Sequence, residues 1–450
     1  MSENDFGFEQ SPGCAQMSAF VQRMSSRLSD LRHGQGSLIR GTALMAMAEM
    51  GNRVSRIATA VVLGRALSTY EFGMIALIMT TYEFVRMLLN NGLGARIVQA
   101  HAEELDEVCG AVNRINWGGG VLMCLIQFAV AWPVQALFGA DVAPMLVVLG
   151  LVHVIYPMGL IHSCLALREE RYELIAGMLF FQITMDNIGT AAMAFAGYGV
   201  WAAVVPKVLI ALIWVAVFRS RIGAVRSVAI TSAKMWDVVN YGRRVMAAEA
   251  LNTFRANADK LIVGRILGID AVGLYSFAQN AGSGIAFGLA SALGQAVLPF
   301  ISKGHQNDDT ISRFRSSVFA MSVVIMPVIA AQVILAPWYV PIVFSAKWTP
   351  AVPTIMLMCL GMLSRPLVVA TSQFLRATGN VELEWKISWF NAILFMVAII
   401  GGLPFGVNGV AASLSAVSVL PAIFFARMAI SVAAEKSARP LSGRLAGARL

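Results

Sequence analysis

The sequence predicts an all-α integral membrane protein of about twelve transmembrane helices, arranged as two parallel six-helix lobes. Three observations predict this class: an apolar composition, a regular series of apolar segments, and a repeat that relates the two halves. Of the 450 residues, 58% are hydrophobic and only 13% are charged, against about 25% charged residues in an ordinary soluble domain. Because so few charges cannot cover the surface of a soluble protein of this length, the surface of this chain must face lipid.

The apolar segments recur along the whole chain, and each is long enough to span a bilayer, which takes about 20 helical residues. They cover residues 41–64, 72–94, 114–133, 143–167, 173–197, 199–218, 241–265, 272–300, 317–340, 351–376, 384–402 and 407–431. The seventh segment is the most polar of the twelve. Glycine and proline mark the turns between segments, as at residues 197–199 and 401–404, where they favour chain reversal.

Basic residues fall mainly on one side of this series. If the N-terminus and every second loop share one face, 24 of the 34 Lys and Arg lie on that face, and only Arg65, Arg265 and Lys347 lie on the other. Because cytoplasmic loops are enriched in Lys and Arg, both termini are predicted to be cytoplasmic. The net charge of +9 is therefore a signal of topology, and no nucleic-acid partner is predicted.

Domain boundaries follow from the same pattern. The chain divides into a disordered cytoplasmic tail (1–36), a six-helix lobe (37–218), a cytoplasmic linker (219–240), a second six-helix lobe (241–431) and a cytoplasmic tail (432–450). An even number of helices in each lobe returns the chain to its starting side, so the two lobes have the same orientation. Transporters built from such parallel repeats hold their site between the lobes, near the middle of the membrane.

An internal repeat supports this division, because the halves align at an offset of 200 residues without a gap. Residues 40–100 share eleven identities with residues 240–300. The paired positions include Gly64-Arg65 with Gly264-Arg265, Gly73 with Gly273, Glu49 with Glu249, and Asn52 with Asn252. The Gly-Arg pairs are predicted to end helices, and Gly73 and Gly273 to allow close helix packing.

Ionisable residues inside the apolar segments mark a candidate site, because a charge at the bilayer centre costs a few kcal/mol. Glu49, Arg53 and Arg56 share one face of the first helix, since residues three and four apart are neighbours on a helix. The other candidate cavity residues are Glu83, Arg86, Glu249, Asn252, Arg255, Asp259, Lys260 and Arg365. Guanidinium groups bind phosphate oxygens in pairs, so the functional interpretation is a wet, net positive cavity for an anionic headgroup.

A structural interpretation stands beside the functional one. Glu49–Arg53, Glu83–Arg86 and Arg255–Asp259 have the spacing of ion pairs that only fix helix packing, and Lys207 is expected to snorkel to the interface. Glu49, Asp186, Glu249 and Asp259 are the candidates for binding a coupling H⁺ or Na⁺. Neither a cofactor nor a metal site is predicted, because the five cysteines and five histidines form no CxxC or HExxH motif and no P-loop occurs.

Two stretches carry a resemblance to a known family. "VVLGRALSTYEFGMIALI…NNGLGARIVQ" and "NADKLIVGRILGIDAVGLYSFAQ" resemble the first two helices, and the seventh and eighth helices, of Wzx-type polysaccharide flippases. These belong to the multidrug/oligosaccharidyl-lipid/polysaccharide (MOP) exporter superfamily, which also contains the MATE transporters. Asp259, Lys260, Gly264 and Gly273 match family positions.

The resemblance implies a function. It implies that undecaprenyl-pyrophosphate-linked oligosaccharide moves from the cytoplasmic to the periplasmic leaflet of a bacterial inner membrane by alternating access, for O-antigen or exopolysaccharide synthesis. The implied partners are this lipid-linked substrate and membrane lipids, and a polysaccharide polymerase and chain-length or export proteins are candidates.

Three alternatives remain open at this point. The first is a cation-coupled multidrug efflux antiporter of the same superfamily, which would favour a cavity of carboxylates and aromatic residues. The second is a peptidoglycan-precursor flippase, which usually carries two extra helices. The third is a membrane-embedded glycosyltransferase or polymerase, which needs catalytic acids on a sizeable loop, whereas the longest loops here have about 15–25 residues.

Overall fold

The computed structural model describes residues 47, 51–52, 55–87, 93–223, 253–254, 256–305 and 309–438. Within these ranges the regular elements are helices, with no strand. The predicted N-terminal tail, most of the linker and the end of the C-terminal tail lie outside them. The domain boundaries therefore stay predictions.

In the first half of the chain, the described residues form nine helices. They are α1 (55–66), α2 (Thr69–Arg86), α3 (Leu93–Gln99), α4 (Leu105–Phe138), α5 (Ala143–Gly150), α6 (Val152–Ile155), α7 (Pro157–Arg168), α8 (Tyr172–Phe195) and α9 (Val205–Ile222). Short 3₁₀ turns at Ala102–Glu104 and Gly199–Ala203 lead into α4 and α9. The predicted segment 72–94 is shorter in the structure, because α2 ends at Arg86 and α3 is a separate helix.

The second half adds eight helices among the described residues. They are α10 (256–267), α11 (Ile269–Ala278), α12 (Gly284–His305), α13 (Thr310–Tyr339), α14 (Val352–Gly361), α15 (Arg365–Ala377), α16 (Val381–Gly402) and α17 (Gly406–Ala438). π-Helical turns at Gln279–Ser283 and Val340–Phe344 follow α11 and α13. Short 3₁₀ turns at Ala346–Ala351, Met362–Ser364 and Leu403–Phe405 join the later helices.

Five described stretches are long and apolar enough to cross a membrane. They are Ala102–Phe138, Gly199–Ile222, Thr310–Phe344, Ala346–Ala377 and Val381–Ser431. Two bent pairs add to them: Ala143–Ile155 with Pro157–Arg168, at 46°, and Ile269–Ser283 with Ala286–Lys303, at 47°. Proline and π-turns are the usual causes of such bends. The all-helical, multi-pass membrane architecture is confirmed, whereas the number of twelve spans stays a prediction.

A capping box sets the start of α2. The Ser68 hydroxyl accepts a hydrogen bond from the Glu71 backbone N–H, and the Glu71 carboxylate accepts one from the Ser68 backbone N–H. This reciprocal pair satisfies two backbone donors at the helix N-terminus. The predicted segment started at residue 72, but α2 starts at Thr69, because Ser-x-x-Glu at 68–71 begins a helix.

The two halves share their apolar cores. Phe72 of α2 lies in the core of the second half, together with Val272, Phe277 and Trp348. Ile269 of α11 lies in the core of the first half, beside Met74 and Leu77. Each half therefore inserts a side chain into the core of the other: Phe72 near the start of α2, and Ile269 at the start of α11.

The contact between α2 and α11 follows the sequence repeat. A Cβ atom on Gly73 would lie 2.1 Å from the Ile269 carbonyl oxygen, and one on Gly273 would lie 2.0 Å from the Thr69 carbonyl oxygen. Thr69 and Ile269 are themselves 200 residues apart, so the two clashes are symmetry-equivalent. The helices cross where only glycine fits, which confirms the predicted close packing. We call this side of the molecule, where Arg65 and Arg265 lie, the closed end.

Candidate functional site

The first helix is attached to α8 by a line of polar side chains. The Asn187 amide donates to the Ser55 hydroxyl at 2.7 Å, and the Thr59 hydroxyl donates to the Asn187 carbonyl at 3.1 Å. Asn52 lies on the same face, where Thr184 approaches its amide oxygen at 3.4 Å. These residues were not predicted as functional, although Asn52, Ser55 and Thr59 recur at helical spacing.

Arg56 lies on a different face of α1 from the polar line. Successive helical residues are rotated by about 100°, so Arg56 does not face α8, and its side chain is exposed. Within the described residues it forms no ion pair. Its predicted neighbours Glu49 and Arg53, and likewise Glu249, Asn252 and Arg255, lie outside the described residues.

Glu83 and Arg86 form an ion pair on α2. The Arg86 guanidinium lies 3.0 Å from the Glu83 carboxylate, and the two side chains are 44% and 40% exposed. The predicted ion pair of these two residues is therefore present, whereas its role in helix packing or in substrate binding stays a prediction. Their half-exposed position still leaves guanidinium donors and carboxylate oxygens accessible. Phe84, between them in sequence, contacts Phe254 of the second half, with ring centroids 6.2 Å apart.

Asp186 of α8 binds Lys207 of α9. The Lys207 ammonium donates to one carboxylate oxygen of Asp186, and the other oxygen is buried without a hydrogen-bond partner. Lys207 was expected to snorkel to the interface, which stays a prediction, and its ion pair with Asp186 was not predicted. Asp186 is thus already neutralised by a cation of the same chain.

Asp259 and Lys260 are adjacent in sequence but lie in different environments. Asp259 is 2% exposed, and its carboxylate accepts hydrogen bonds from the Tyr275 hydroxyl at 2.7 Å and from the Lys260 backbone N–H at 2.9 Å. The Lys260 ammonium instead lies 3.1 Å from the Asn257 amide oxygen and is half-buried. Asp259 therefore connects α10 to α11, and only Lys260 keeps a partly exposed charge.

Arg365 lies at the start of α15, where Pro366 follows it. Its guanidinium carbon is 4.5 Å from the centre of the Phe287 ring of α12. Arginine over an aromatic face is a favourable cation–π contact. Phe287 was missed by sequence reasoning, because an apolar residue in an apolar helix carries no signal of such a contact.

The overall fold matches that of known transporters. The structure is similar to the lipid II flippase MurJ in an inward closed conformation, with a TM-score of 0.74, 12% sequence identity, and coverage of 86% of this chain and 87% of that one. It is also similar to an inward-facing multidrug resistance MATE family transporter of the MOP superfamily, with a TM-score of 0.61, 14% identity, and coverage of 88% and 96%. The fold is that of a MOP-type membrane transporter.

Sequence comparison identifies the family. The profile of the family described as "Polysaccharide biosynthesis protein" matches residues 62–353, and the chain belongs to this family. The lipopolysaccharide biosynthesis protein WzxC of Escherichia coli is 23% identical over 80% of this chain and 76% of its own length. The succinoglycan biosynthesis transport protein ExoT of Rhizobium meliloti is 22% identical over 82% and 74%. The chain is a membrane transporter of polysaccharide biosynthesis and not an enzyme.

Proposed function

We propose that this chain flips undecaprenyl-pyrophosphate-linked oligosaccharide repeat units across the bilayer by alternating access, for the synthesis of a surface polysaccharide. One observation carries the proposal: the two halves meet tightly at the closed end, and positively charged side chains lie deeper along the helices that lead away from it. We interpret this arrangement as a vestibule that is shut at the closed end and lined with cations.

The depth of these charges follows from helix geometry, at 1.5 Å per residue. Lys260 is five residues from Arg265, or about 8 Å along α10, and Arg56 is nine residues from Arg65, or about 14 Å along α1. Arg86 is seventeen residues from Thr69, or about 25 Å along α2. A substrate that entered from the opposite end would meet a cation at each level of the path.

The chemistry of the substrate fits these side chains. A pyrophosphate carries negative charge and binds arginine and lysine through charge-assisted hydrogen bonds. The attached sugars need polar surroundings, which the half-exposed Glu83–Arg86 pair offers. The polyprenyl tail stays in the lipid beside the lobes. Arg56, Arg86, Lys260 and Arg365 are the described residues that we assign to pyrophosphate contact.

The orientation in the membrane is part of the proposal. Both termini face the cytoplasm of a bacterial inner membrane, and the closed end faces the periplasm. Arg65, Arg265 and Lys347 then lie on the periplasmic side, as the distribution of basic residues favours. A polysaccharide polymerase and chain-length or export proteins act on the product there.

Coupling to an H⁺ or Na⁺ gradient is a further part of the proposal. Of the four candidate carboxylates, Asp186 and Asp259 are among the described residues. Asp186 already binds Lys207, so a cation would have to displace an ammonium group. Among the described residues, the Asp259 carboxylate accepts hydrogen bonds from the Tyr275 hydroxyl and the Lys260 backbone N–H and from no ammonium or guanidinium group, so a proton can bind it without displacing a cation from this part of the chain. We assign proton coupling to Asp259.

The experiment is a flipping assay with purified protein in liposomes. The probe is a short-chain polyprenyl-pyrophosphate-linked oligosaccharide with a fluorophore on the glycan, which dithionite quenches from outside. We expect the protein to make the inner-leaflet probe accessible much faster than in empty vesicles, and not to act on a phospholipid with the same fluorophore. A rate equal to that of empty vesicles, together with drug resistance in an efflux-deficient host, would overturn the proposal in favour of a drug antiporter.

A further inference from the structure

The closed end has a set of polar contacts on one side of its pseudo-symmetric interface. Arg65 of α1 donates from Nε to the Val343 carbonyl at 2.7 Å and from Nη2 to the Ile342 carbonyl at 2.8 Å. The Lys347 ammonium donates a hydrogen bond to the Arg65 carbonyl at 2.8 Å. The contacts run in both directions between α1 of the first half and the segment after α13 of the second half.

Arg65 donates its hydrogen bonds to carbonyls at a helix end of the other half, in the π-helical turn that follows α13. The last carbonyls of a helix have no partner within it, and a cation there is favoured by the helix dipole. The planar guanidinium fork is suited to two adjacent carbonyls. Ser345 follows this helix end with a φ of 116°, a backbone conformation that residues with a side chain rarely adopt. The turn brings Lys347 and Trp348 back toward α1.

Trp348 adds a buried contact to the same side. Its side chain is 0% exposed and its indole N–H donates to the Gly64 carbonyl at 2.6 Å. The ring stacks on Phe277 with centroids 3.9 Å apart and forms a T-shaped contact with Phe72 at 5.3 Å. The tryptophan therefore binds the end of α1 by a hydrogen bond and packs against Phe72 of α2.

The repeat-equivalent side lacks these polar contacts. Gly264 packs on Phe138 as Gly64 packs on Phe344: a Cβ on the two glycines would meet these rings at 3.0 Å and 2.7 Å. Arg265, the equivalent of Arg65, is exposed and forms no hydrogen bond or ion pair with any part of the chain that the structure describes. Both sides share the apolar contact, and only the Arg65 side adds the polar ones.

We propose that Arg65, Lys347 and Trp348 form a latch that holds the closed end shut and releases in each transport cycle, with no equivalent role for Arg265. Polar contacts at an exposed end suit this task, because water replaces them on opening and their net contribution is modest. The release step rests on the alternating-access function proposed above, whereas the latch itself does not depend on which substrate is carried.

The test measures the opening of this end directly. Tyr198 and Phe405 are exposed residues of the two halves, outside the latch, 61% and 78% exposed. Spin labels at Tyr198→Cys and Phe405→Cys, in a Cys14→Ser background, report the distance between the halves by pulsed electron resonance in liposomes. The four described native cysteines are buried. We expect Arg65→Ala to raise the ratio of long to short distances about five- to tenfold, since it removes two hydrogen bonds whose net contribution at an exposed end is modest.

Arg265→Ala is the matched control, because it removes the same charge at the equivalent position of the repeat. We expect it to leave the distance distribution unchanged, and Trp348→Phe to raise the long population less than Arg65→Ala does. Equal distributions for Arg65→Ala and Arg265→Ala overturn the latch. If Arg65→Ala does not fold, Trp348→Phe decides, and an unchanged distribution overturns the proposal. A protein that opens as expected but flips no lipid-linked oligosaccharide contradicts the proposed function alone.

Discussion

At the residue scale, Asp259 and Lys260 illustrate how a helix separates neighbours. The turn of about 100° between adjacent helical residues directs the Asp259 side chain toward Tyr275 of α11 and the Lys260 side chain toward Asn257. The buried carboxylate keeps its hydrogen bonds to Tyr275 and to a backbone N–H, as buried polar groups must. The two residues therefore have different roles, a link between helices and a partly exposed cation.

Lys260→Ala is expected to slow the flipping of lipid-linked oligosaccharide about tenfold or more, because a charge-assisted hydrogen bond contributes about 1.5–3 kcal/mol. Lys303→Ala is the matched control, since Lys303 is an exposed lysine near the end of α12. The initial rate in liposomes measures both. Wild-type rates for Lys260→Ala and for Arg56→Ala would exclude a cationic path along α1 and α10.

Tyr275→Phe is expected to lower thermal stability, because it removes a donor from a buried carboxylate, at a cost of about 1–3 kcal/mol. Tyr339→Phe is the control, since its hydroxyl reaches the Ala281 carbonyl only at 3.4 Å. Thermal unfolding in detergent measures the difference. Equal midpoints for the two variants would contradict the role of Tyr275 as the partner of Asp259.

At the element scale, the helices that join the halves depend on small residues and on helix ends. Gly73 and Gly273 permit a backbone approach that leaves no room for a methyl group. The capping box at Ser68 and Glu71 fixes where α2 starts, three residues before the predicted segment. The place of the crossing therefore follows from two local sequence features.

Gly73→Ala and Gly273→Ala are each expected to force α2 and α11 apart, because the new Cβ would lie about 2 Å from a backbone carbonyl oxygen of the other helix. We expect lower thermal stability and a smaller short-distance population between the labels at positions 198 and 405. Gly177→Ala is the control, since a Cβ there meets nothing within 4 Å and alanine favours a helix over glycine by about 1 kcal/mol. Identical effects at all three glycines would show that the crossing is not tight.

At the scale of the whole molecule, each half of the repeat places an apolar side chain in the core of the other half. Phe72 lies in the second core and Ile269 in the first, beside glycines that meet at equivalent positions. An interface of this kind closes one end, and further along α2 the halves meet again where Phe84 contacts Phe254. Alternating access then requires this end to separate, against the apolar contacts on both sides and the polar contacts on one.

The predicted orientation has a direct test. Glu103 and Ser302 are exposed residues of the first and second halves on the predicted cytoplasmic side, and Tyr198 and Phe405 are exposed on the predicted periplasmic side. Single cysteines at positions 198 and 405 are expected to react with an impermeant maleimide in intact cells, and those at 103 and 302 only after lysis. Opposite reactivity of positions 198 and 405 would contradict halves of the same orientation.

Much of the architecture could be predicted from the sequence. Composition and the spacing of apolar segments determine a multi-pass helical membrane protein, because the hydrocarbon core admits backbone only in hydrogen-bonded form. The offset of 200 residues predicted the equivalence of Gly73 and Gly273, since close packing and turns depend on residue types that recur at fixed positions. The spacing of the apolar segments also distinguished the ionisable residues within predicted membrane segments from those in loops.

The partners of these ionisable residues could not be predicted, and only the tertiary structure decided them. Lys207 binds Asp186, Tyr275 binds Asp259, and Arg65 binds carbonyls 277 and 278 residues further along the chain. The identical Gly-Arg pairs of the repeat predicted equal roles for Arg65 and Arg265, but the segments packed beside them differ. A hydrogen bond depends on the distance and direction of its partner, which are set only when remote helices pack together.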